Sequence, residues 1–79
     1  MARKAYVLIG CEVTEAVEAT KAIRQKTGVL AAEAVTGNYD IIVTVEAGNV
    51  EVIAKTVLME IAGVPGVKTT NTCIVIPID

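Results

Sequence analysis

The chain has no histidine, no phenylalanine and no tryptophan, and its aromatic residues are Tyr6 and Tyr39. Histidine is the side chain that most often serves as a general base, so its absence argues against hydrolytic and transfer enzymes. Asp40 and Glu46 share one predicted strand, but they lie about 20 Å apart, which is too far for a catalytic pair. The glycines are scattered at predicted turns and form no phosphate-binding loop. We therefore expect no catalytic residues and no enzyme activity.

Cysteine is also scarce, since Cys11 and Cys73 are the only two and are far apart in the sequence. A structural zinc site usually takes four Cys or His ligands, which this chain cannot supply. We expect no metal site and no cofactor. Both cysteines lie in apolar β context, where small core residues are the simplest interpretation, and a disulfide between neighbouring strands remains an alternative.

Clustered positive charge and long apolar runs are missing as well. The net charge is −2 and the seven basic residues are scattered, whereas phosphate binding favours clustered Lys and Arg. No apolar run reaches the roughly 18 residues of a membrane span, and no signal-peptide pattern follows the basic N-terminus. The sequence predicts a cytoplasmic protein that binds no membrane and makes no direct contact with nucleic acid.

Apolar residues are plentiful instead. They make up 53% of the 79 residues, and the mean hydropathy is +0.59. The length predicts one domain, residues 1–79, whose folding buries only about 60% of the surface that the unfolded chain exposes. This apolar content exceeds what one small core needs, so we expect part of the surface to be buried between subunits.

Hydrophobic periodicity predicts the order strand, helix, strand, strand, helix, strand. The strands are expected at residues 5–9, 29–36, 39–46 and 67–78. Thr14 and Asn49 are expected to cap the two helices, which end before Gly28 and Gly63. The second helix has the most regular apolar stripe, formed by Val50, Ile53, Ala54, Val57, Leu58 and Ile61.

This order predicts an α+β, ferredoxin-like βαββαβ fold, in which two helices cover one face of a four-stranded antiparallel sheet. The first strand is apolar on both faces, so we expect it near the centre of the sheet. The face without helices is then uncovered, although the first and last strands place apolar residues on it. We expect a dimer that pairs these faces.

The stretch between the second and third strands is the most distinctive. Thr36-Gly37-Asn38-Tyr39-Asp40 is followed by Ile-Ile-Val-Thr-Val, and the Gly-Asn pair favours a hairpin with a tight turn. This motif resembles the effector-binding domain of the Lrp/AsnC (feast/famine) transcription regulators. Pro65-Gly66-Val67, which leads into a threonine-rich strand, supports the resemblance. Few residues precede the first strand, so we expect a stand-alone domain without the family's helix-turn-helix.

The resemblance implies a homodimer, or a larger ring-like oligomer, that binds a small effector between dimers near the hairpin. The effector is typically an amino acid, and full-length Lrp/AsnC regulators are implied as further partners. Asp40 would attract the α-ammonium, while hydroxyl and backbone N–H groups would bind the α-carboxylate. The candidate effector-binding residues are Thr36, Gly37, Asn38, Tyr39, Asp40, Thr70 and Thr72.

Each candidate also has a purely structural interpretation. Gly37 and Asn38 favour turns, threonine favours strands, and Asp40 suits backbone hydrogen bonds beside a turn. Tyr39 is in phase with Ile41, which favours the core. Other functional classes remain open too: an ACT-like regulatory domain, a metal chaperone, a dimeric α/β-barrel enzyme, or a structural or modulatory subunit of full-length regulators. The first three lack their usual Asp-x-Pro-Gly, Cys-x-x-Cys or histidine signature here.

Overall fold

The computed structural model describes residues 2–78, so Met1 and Asp79 at the two ends of the predicted domain lie outside the described residues. The predicted element order is confirmed. The elements are β1 (Arg3–Cys11), α1 (Ala16–Arg24), β2 (Val29–Ala34), β3 (Ile41–Ala47), α2 (Val50–Thr56) and β4 (Val67–Ile74). A 3₁₀ turn, Val13–Glu15, precedes α1, and a π-helical turn, Val57–Ile61, continues α2.

The four strands form one antiparallel sheet with the order β2-β3-β1-β4. This is the predicted ferredoxin-like arrangement, and β1 lies in the interior of the sheet as expected. The register places Val7 opposite Val43 on one side and opposite Thr72 on the other. Because opposite residues in antiparallel strands face the same way, this register defines the two faces of the sheet.

The core lies between the sheet and the two helices. Every second residue is buried on this helix-covered face from Ala5 to Cys11 in β1 and from Ile41 to Val45 in β3. The helices contribute Ile23 from α1 and Ile53 from α2, both fully buried. Each such side chain stabilises the fold by about 1.5–3 kcal/mol through burial. The strict alternation confirms that β3 is apolar on one face and mixed on the other.

The beginnings of the two helices differ in how well the sequence predicts them. Asn49 caps α2 as expected, because its Oδ1 accepts a hydrogen bond from the Val52 N–H at 2.9 Å. The predicted cap at Thr14 is wrong: Thr14 lies within the 3₁₀ turn, and α1 begins two residues later at Ala16. The physical reason is that β1 continues to Cys11, so the chain needs the 3₁₀ turn before it can enter the helix.

The strand ends also move relative to the prediction. β2 ends at Ala34 and β3 begins at Ile41, so the connection spans residues 35–40 rather than a two-residue turn. β4 ends at Ile74 rather than at residue 78. The last residue of β4, Ile74, lies opposite Ala5 of β1, and the next N–H, that of Val75, still donates to the Lys4 carbonyl oxygen at 2.9 Å. Residues 76–78 lie beyond the end of β4.

Candidate functional site

The connection between β2 and β3, residues 35–40, contains most of the predicted effector residues. The Val35 N–H donates to the Asp40 carbonyl oxygen at 2.9 Å and closes the loop. Gly37 has a φ of +109°, whereas Asn38 does not have a positive φ. A two-residue turn of type I′ requires positive φ at both central residues. The predicted tight Gly-Asn turn is therefore replaced by a wider loop in which Gly37 alone makes the left-handed bend.

Asp40 joins this loop to the end of β1. Its Oδ2 accepts a hydrogen bond from the Cys11 N–H at 2.8 Å, and its own N–H donates to the Ile9 carbonyl oxygen at 2.8 Å. The β1–β4 register shifts between Gly10 and Cys11. A bulge of this kind interrupts the regular backbone hydrogen bonds of a strand, and the carboxylate supplies an acceptor for the Cys11 N–H there. Asp40 thus has a structural partner that is distant in sequence.

Tyr39 reaches across the sheet rather than into the core. Its hydroxyl oxygen accepts a hydrogen bond from Asn71 Nδ2 at 3.3 Å. Asn71 belongs to β4, which is separated from β3 by β1. Asn71 lies opposite Leu8, so it faces the side of the sheet that carries no helices. The core position favoured by its phase with Ile41 is wrong for Tyr39, and the sequence interpretation missed Asn71.

Thr70 and Thr72 lie on the other face of the sheet. Thr70 is opposite Ile9 and Thr72 is opposite Val7, both of which are core residues on the helix-covered side. Within one chain, five of the seven candidate residues lie together because they are contiguous in the loop: Thr36, Gly37, Asn38, Tyr39 and Asp40. The two threonines are exposed on β4 and face away from the Tyr39–Asn71 hydrogen bond.

The sheet face without helices is apolar at its centre and polar at its edges. Tyr6, Leu8 and Ile42 occupy the central strands β1 and β3 on this side. Tyr6 is 41% exposed, and Leu8 and Ile42 are half-buried. The paired Lys4 and Glu46 lie at one end of the face. An apolar centre within a polar rim is the usual composition of a protein–protein interface. We call this surface the open face.

Cys11 and Cys73 differ in environment, and both are free thiols. Cys11 is buried as predicted, whereas Cys73 is exposed, so its predicted core position is wrong. Cys73 lies opposite Tyr6 and therefore on the open face. Burial raises the pKa of the Cys11 thiol, and the negative charges of Asp40, Glu15 and Glu12 raise it further. The nucleophilic thiolate of Cys11 is correspondingly disfavoured at neutral pH.

We expect the Cys11 thiol to react slowly in the folded protein. In the Cys73→Ser variant, a disulfide reagent at neutral pH should modify the remaining thiol only as fast as the protein unfolds, and at once in urea. The raised pKa also means that the folded state holds this proton more tightly than the unfolded state. The stability that Cys11 contributes is therefore complete below the ordinary thiol pKa and declines as the pH rises above it. Equal rates of thiol modification with and without urea would contradict the expected slow reaction of Cys11.

Neither a metal site nor a membrane span is found in the part of the chain that the structure describes. Among residues 2–78, no group of three or more His, Cys, Asp or Glu side chains is arranged to bind a metal ion. None of the helices in this range is long and apolar enough to cross a membrane. The 35–40 loop presents one carboxylate, that of Asp40, together with hydroxyl and amide groups.

Comparison with known proteins gives the chain its relatives. The family model of the Lrp/AsnC ligand binding domain matches residues 4–77. A search of curated proteins found no match. The protein TTHA0845 from Thermus thermophilus has a similar crystal structure with a TM-score of 0.91 and 27% identity, covering 98% of this chain and 96% of that chain.

Two further structures show how widely the fold occurs. The hypothetical protein PHS023 from Pyrococcus horikoshii has a TM-score of 0.85 and 26% identity, covering 98% of this chain and 92% of that chain. The transcriptional regulator NMB0573 from Neisseria meningitidis, in complex with L-Met, has a TM-score of 0.82 and 19% identity. That alignment covers 95% of this chain and 50% of the regulator, so the same fold forms about half of a longer protein.

Proposed function

The chain belongs to the Lrp/AsnC ligand-binding domain family, and from this premise we propose that residues 1–79 act as one effector-binding and oligomerisation domain. In this proposal, two copies pair through their open faces, and a small effector, most simply an amino acid, binds beside the 35–40 loop. The domain works in the cytoplasm as a modulator of transcription regulation and not as an enzyme.

The observation that carries the proposal is the apolar centre of the open face. Leu8 and Ile42 lie directly opposite each other there, next to Tyr6, and no helix within residues 2–78 covers them. Pairing this face with the same face of a second copy would remove these side chains from water, at about 25 cal/mol for each Å² of apolar surface buried. The interface would be isologous, since both copies contribute the same residues.

The loop supplies groups that suit an amino acid. In the described part of the chain, Asp40 uses Oδ2 for the Cys11 N–H, and no donor is bonded to Oδ1. A carboxylate oxygen at this position is a suitable partner for an α-ammonium. The Thr36 hydroxyl and the backbone N–H groups of Gly37 and Asn38 are donors suited to an α-carboxylate. NMB0573, the regulator of similar fold, was crystallised with L-Met, so methionine is the first compound to test.

Thr70 and Thr72 have a place in this proposal only if copies assemble. They lie on the helix-covered side of β4, so they cannot face the loop of their own chain across the open face. A neighbouring copy can present them to that loop. We therefore propose an effector site shared between copies, in a homodimer or a larger ring, with full-length Lrp/AsnC regulators as further partners that present the same kind of surface.

Isothermal titration calorimetry with the twenty amino acids, beginning with L-methionine, tests effector binding. We expect saturable heat for at least one of them, and no heat for the same compound without its ammonium or without its carboxylate. Thr36→Val should weaken binding because it removes the hydroxyl group assigned to the α-carboxylate. Val52→Ala should not, because Val52 is exposed on α2, which follows the end of β3 opposite to the 35–40 loop. If no amino acid gives heat, effector binding is wrong. Co-elution with a full-length regulator would then favour the alternative of a modulatory subunit.

A further inference from the structure

An apolar groove of about 240 Å³ runs between α2 and β4. Its helix side is formed by Val50, Ala54 and Leu58, and its strand side by Thr72 and Ile74. Leu58 is 71% exposed although it belongs to the predicted apolar stripe of this helix. Ile53, Val57 and Ile61 of the same stripe are buried in the core. The stripe is thus wider than the core needs, and its outer part is left uncovered in one copy.

The strand beside this groove has an unpaired edge. Within residues 2–78, β4 pairs with β1 alone. The Val75 N–H donates to the Lys4 carbonyl oxygen at 2.9 Å, so the backbone of residue 75 points towards β1. Since backbone direction alternates along a strand, the N–H and C=O groups of Thr70, Thr72 and Ile74 point away from β1, to the open edge. These groups are free to pair with another strand.

Protective features that usually block such an edge are missing here. Natural edge strands commonly carry charged residues or proline that prevent pairing with another chain. Residues 69–78 contain no charged side chain. Pro77 is an odd-numbered residue, so in a continued strand its missing N–H would be on the β1 side and the outer edge would lose no donor.

The residues after β4 match the groove in chemistry. Ile76 is 74% exposed and Ile78 is 86% exposed. They follow Ile74 at intervals of two, so an extended strand places all three on the side of the sheet where the groove lies. In a single chain, the apolar side chains of Ile76 and Ile78 are therefore exposed directly beside the apolar groove between α2 and β4, which is itself uncovered.

We propose that the groove and edge bind the same segment of a second copy. The two β4 strands pair antiparallel, edge to edge, about a two-fold axis at Ile74. In this register Thr72 lies opposite the partner's Ile76, and each Ile76 enters the groove of the other copy beside Val50, Ala54 and Leu58. The occupant is a second copy because the segment and the groove lie side by side on one chain, so a two-fold axis satisfies both at once.

This edge interface is separate from the open face and does not depend on effector binding. It places Thr72 against the partner's Ile76, so a copy paired at this edge cannot also present Thr72 to an effector. It joins two sheets side by side, whereas the proposed open-face dimer stacks them. A chain with two different self-complementary surfaces assembles beyond a dimer. The edge interface is therefore a route from dimers to the larger oligomer.

Ile76→Asp tests the edge interface by sedimentation velocity of the full chain. We expect the assembly to fall from the wild-type mass to that of a dimer, the unit held together by the open faces. The circular dichroism spectrum should be unchanged, because residue 76 lies beyond β4. Val13→Asp adds the same charge at another exposed apolar residue and should leave the mass unchanged. An Ile76→Asp protein with the wild-type mass overturns the proposal, and so does a monomeric wild type.

A cysteine cross-link tests the register. With Ile74 on the axis, residue 75 of one copy forms a non-hydrogen-bonded pair with the partner's Cys73, at a Cα separation of about 4.5 Å, which suits a disulfide. Val75→Cys should give a covalent dimer on a non-reducing gel after treatment with diamide. The Val75→Cys, Cys73→Ser double variant should give none. Absence of the dimer in the single variant, or an equal yield in both variants, overturns this register.

Discussion

Leu8→Asp is expected to separate the proposed open-face dimer. Leu8 lies in β1 between Ile42 of β3 and Asn71 of β4, at the centre of the open face. Pairing two such faces would bury two carboxylates against apolar side chains with no partner, and burying an unpaired charge is strongly unfavourable. Central interface residues typically contribute about 2 kcal/mol or more, so we expect the dissociation constant to rise by about 30-fold or more. Sedimentation equilibrium over a concentration series measures this change.

The matched control places the same charge away from the open face. Val13 is 83% exposed in the 3₁₀ turn, outside the strands that form the open face, so Val13→Asp should leave the dissociation constant unchanged. Leu8 alternates with the buried Val7 and Ile9 and does not belong to the core, so the variant should fold. A Leu8→Asp protein that associates as tightly as the wild type would contradict the open-face dimer. The edge interface would be unaffected by that result, because Ile76→Asp tests it separately.

The parts of the fold that follow from local pattern were predictable from the sequence. Alternation along β3 identified its buried face, since Ile41, Val43 and Val45 are all in the core. The cap at Asn49 was predictable because the side chain bonds a backbone N–H only three residues away. The order of the elements, together with short connections, then restricts the topology to a few arrangements.

Element ends were less predictable because they depend on distant residues. Val75 and Ile76 are strong strand formers, yet β4 ends at Ile74, although the Val75 N–H still donates to the Lys4 carbonyl oxygen of β1. Thr14 is a good helix cap by residue type, but the length of β1 determines where the chain turns. Neither limit can be read from the residue types of the segment itself.

The candidate site shows the same division. Asp40 stood out because an acid is a poor strand residue, and it does have a specific partner. That partner, the Cys11 N–H, is 29 residues away and is freed by the bulge at the end of β1, which no local pattern indicates. Asn71 was missed because it lies among strand-forming threonines. The one available signal was its amide side chain, since asparagine is depleted in strands.

Asp40 therefore has two separable roles, one observed in the fold and one proposed for the effector, and two substitutions should distinguish them. Asp40→Ala removes the acceptor for the Cys11 N–H. Loss of a hydrogen bond to a charged group costs about 1.5–3 kcal/mol. Asp40→Asn keeps an oxygen acceptor of similar shape but removes the charge, so it should lose less stability. Urea denaturation of the two variants and the wild type measures this difference.

In the proposed role, effector binding depends on the charge of the Asp40 carboxylate and not on its hydrogen bond to the Cys11 N–H. If the Asp40 carboxylate attracts an α-ammonium, Asp40→Asn should remain folded and lose most of its affinity for the effector identified by calorimetry. Glu46→Gln is the matched control, since Glu46 is an exposed carboxylate on β3, the strand that follows Asp40, and lies at the far end of the open face. This control should bind as the wild type does. A folded Asp40→Asn protein with wild-type affinity would restrict Asp40 to its structural role and place the ammonium site elsewhere.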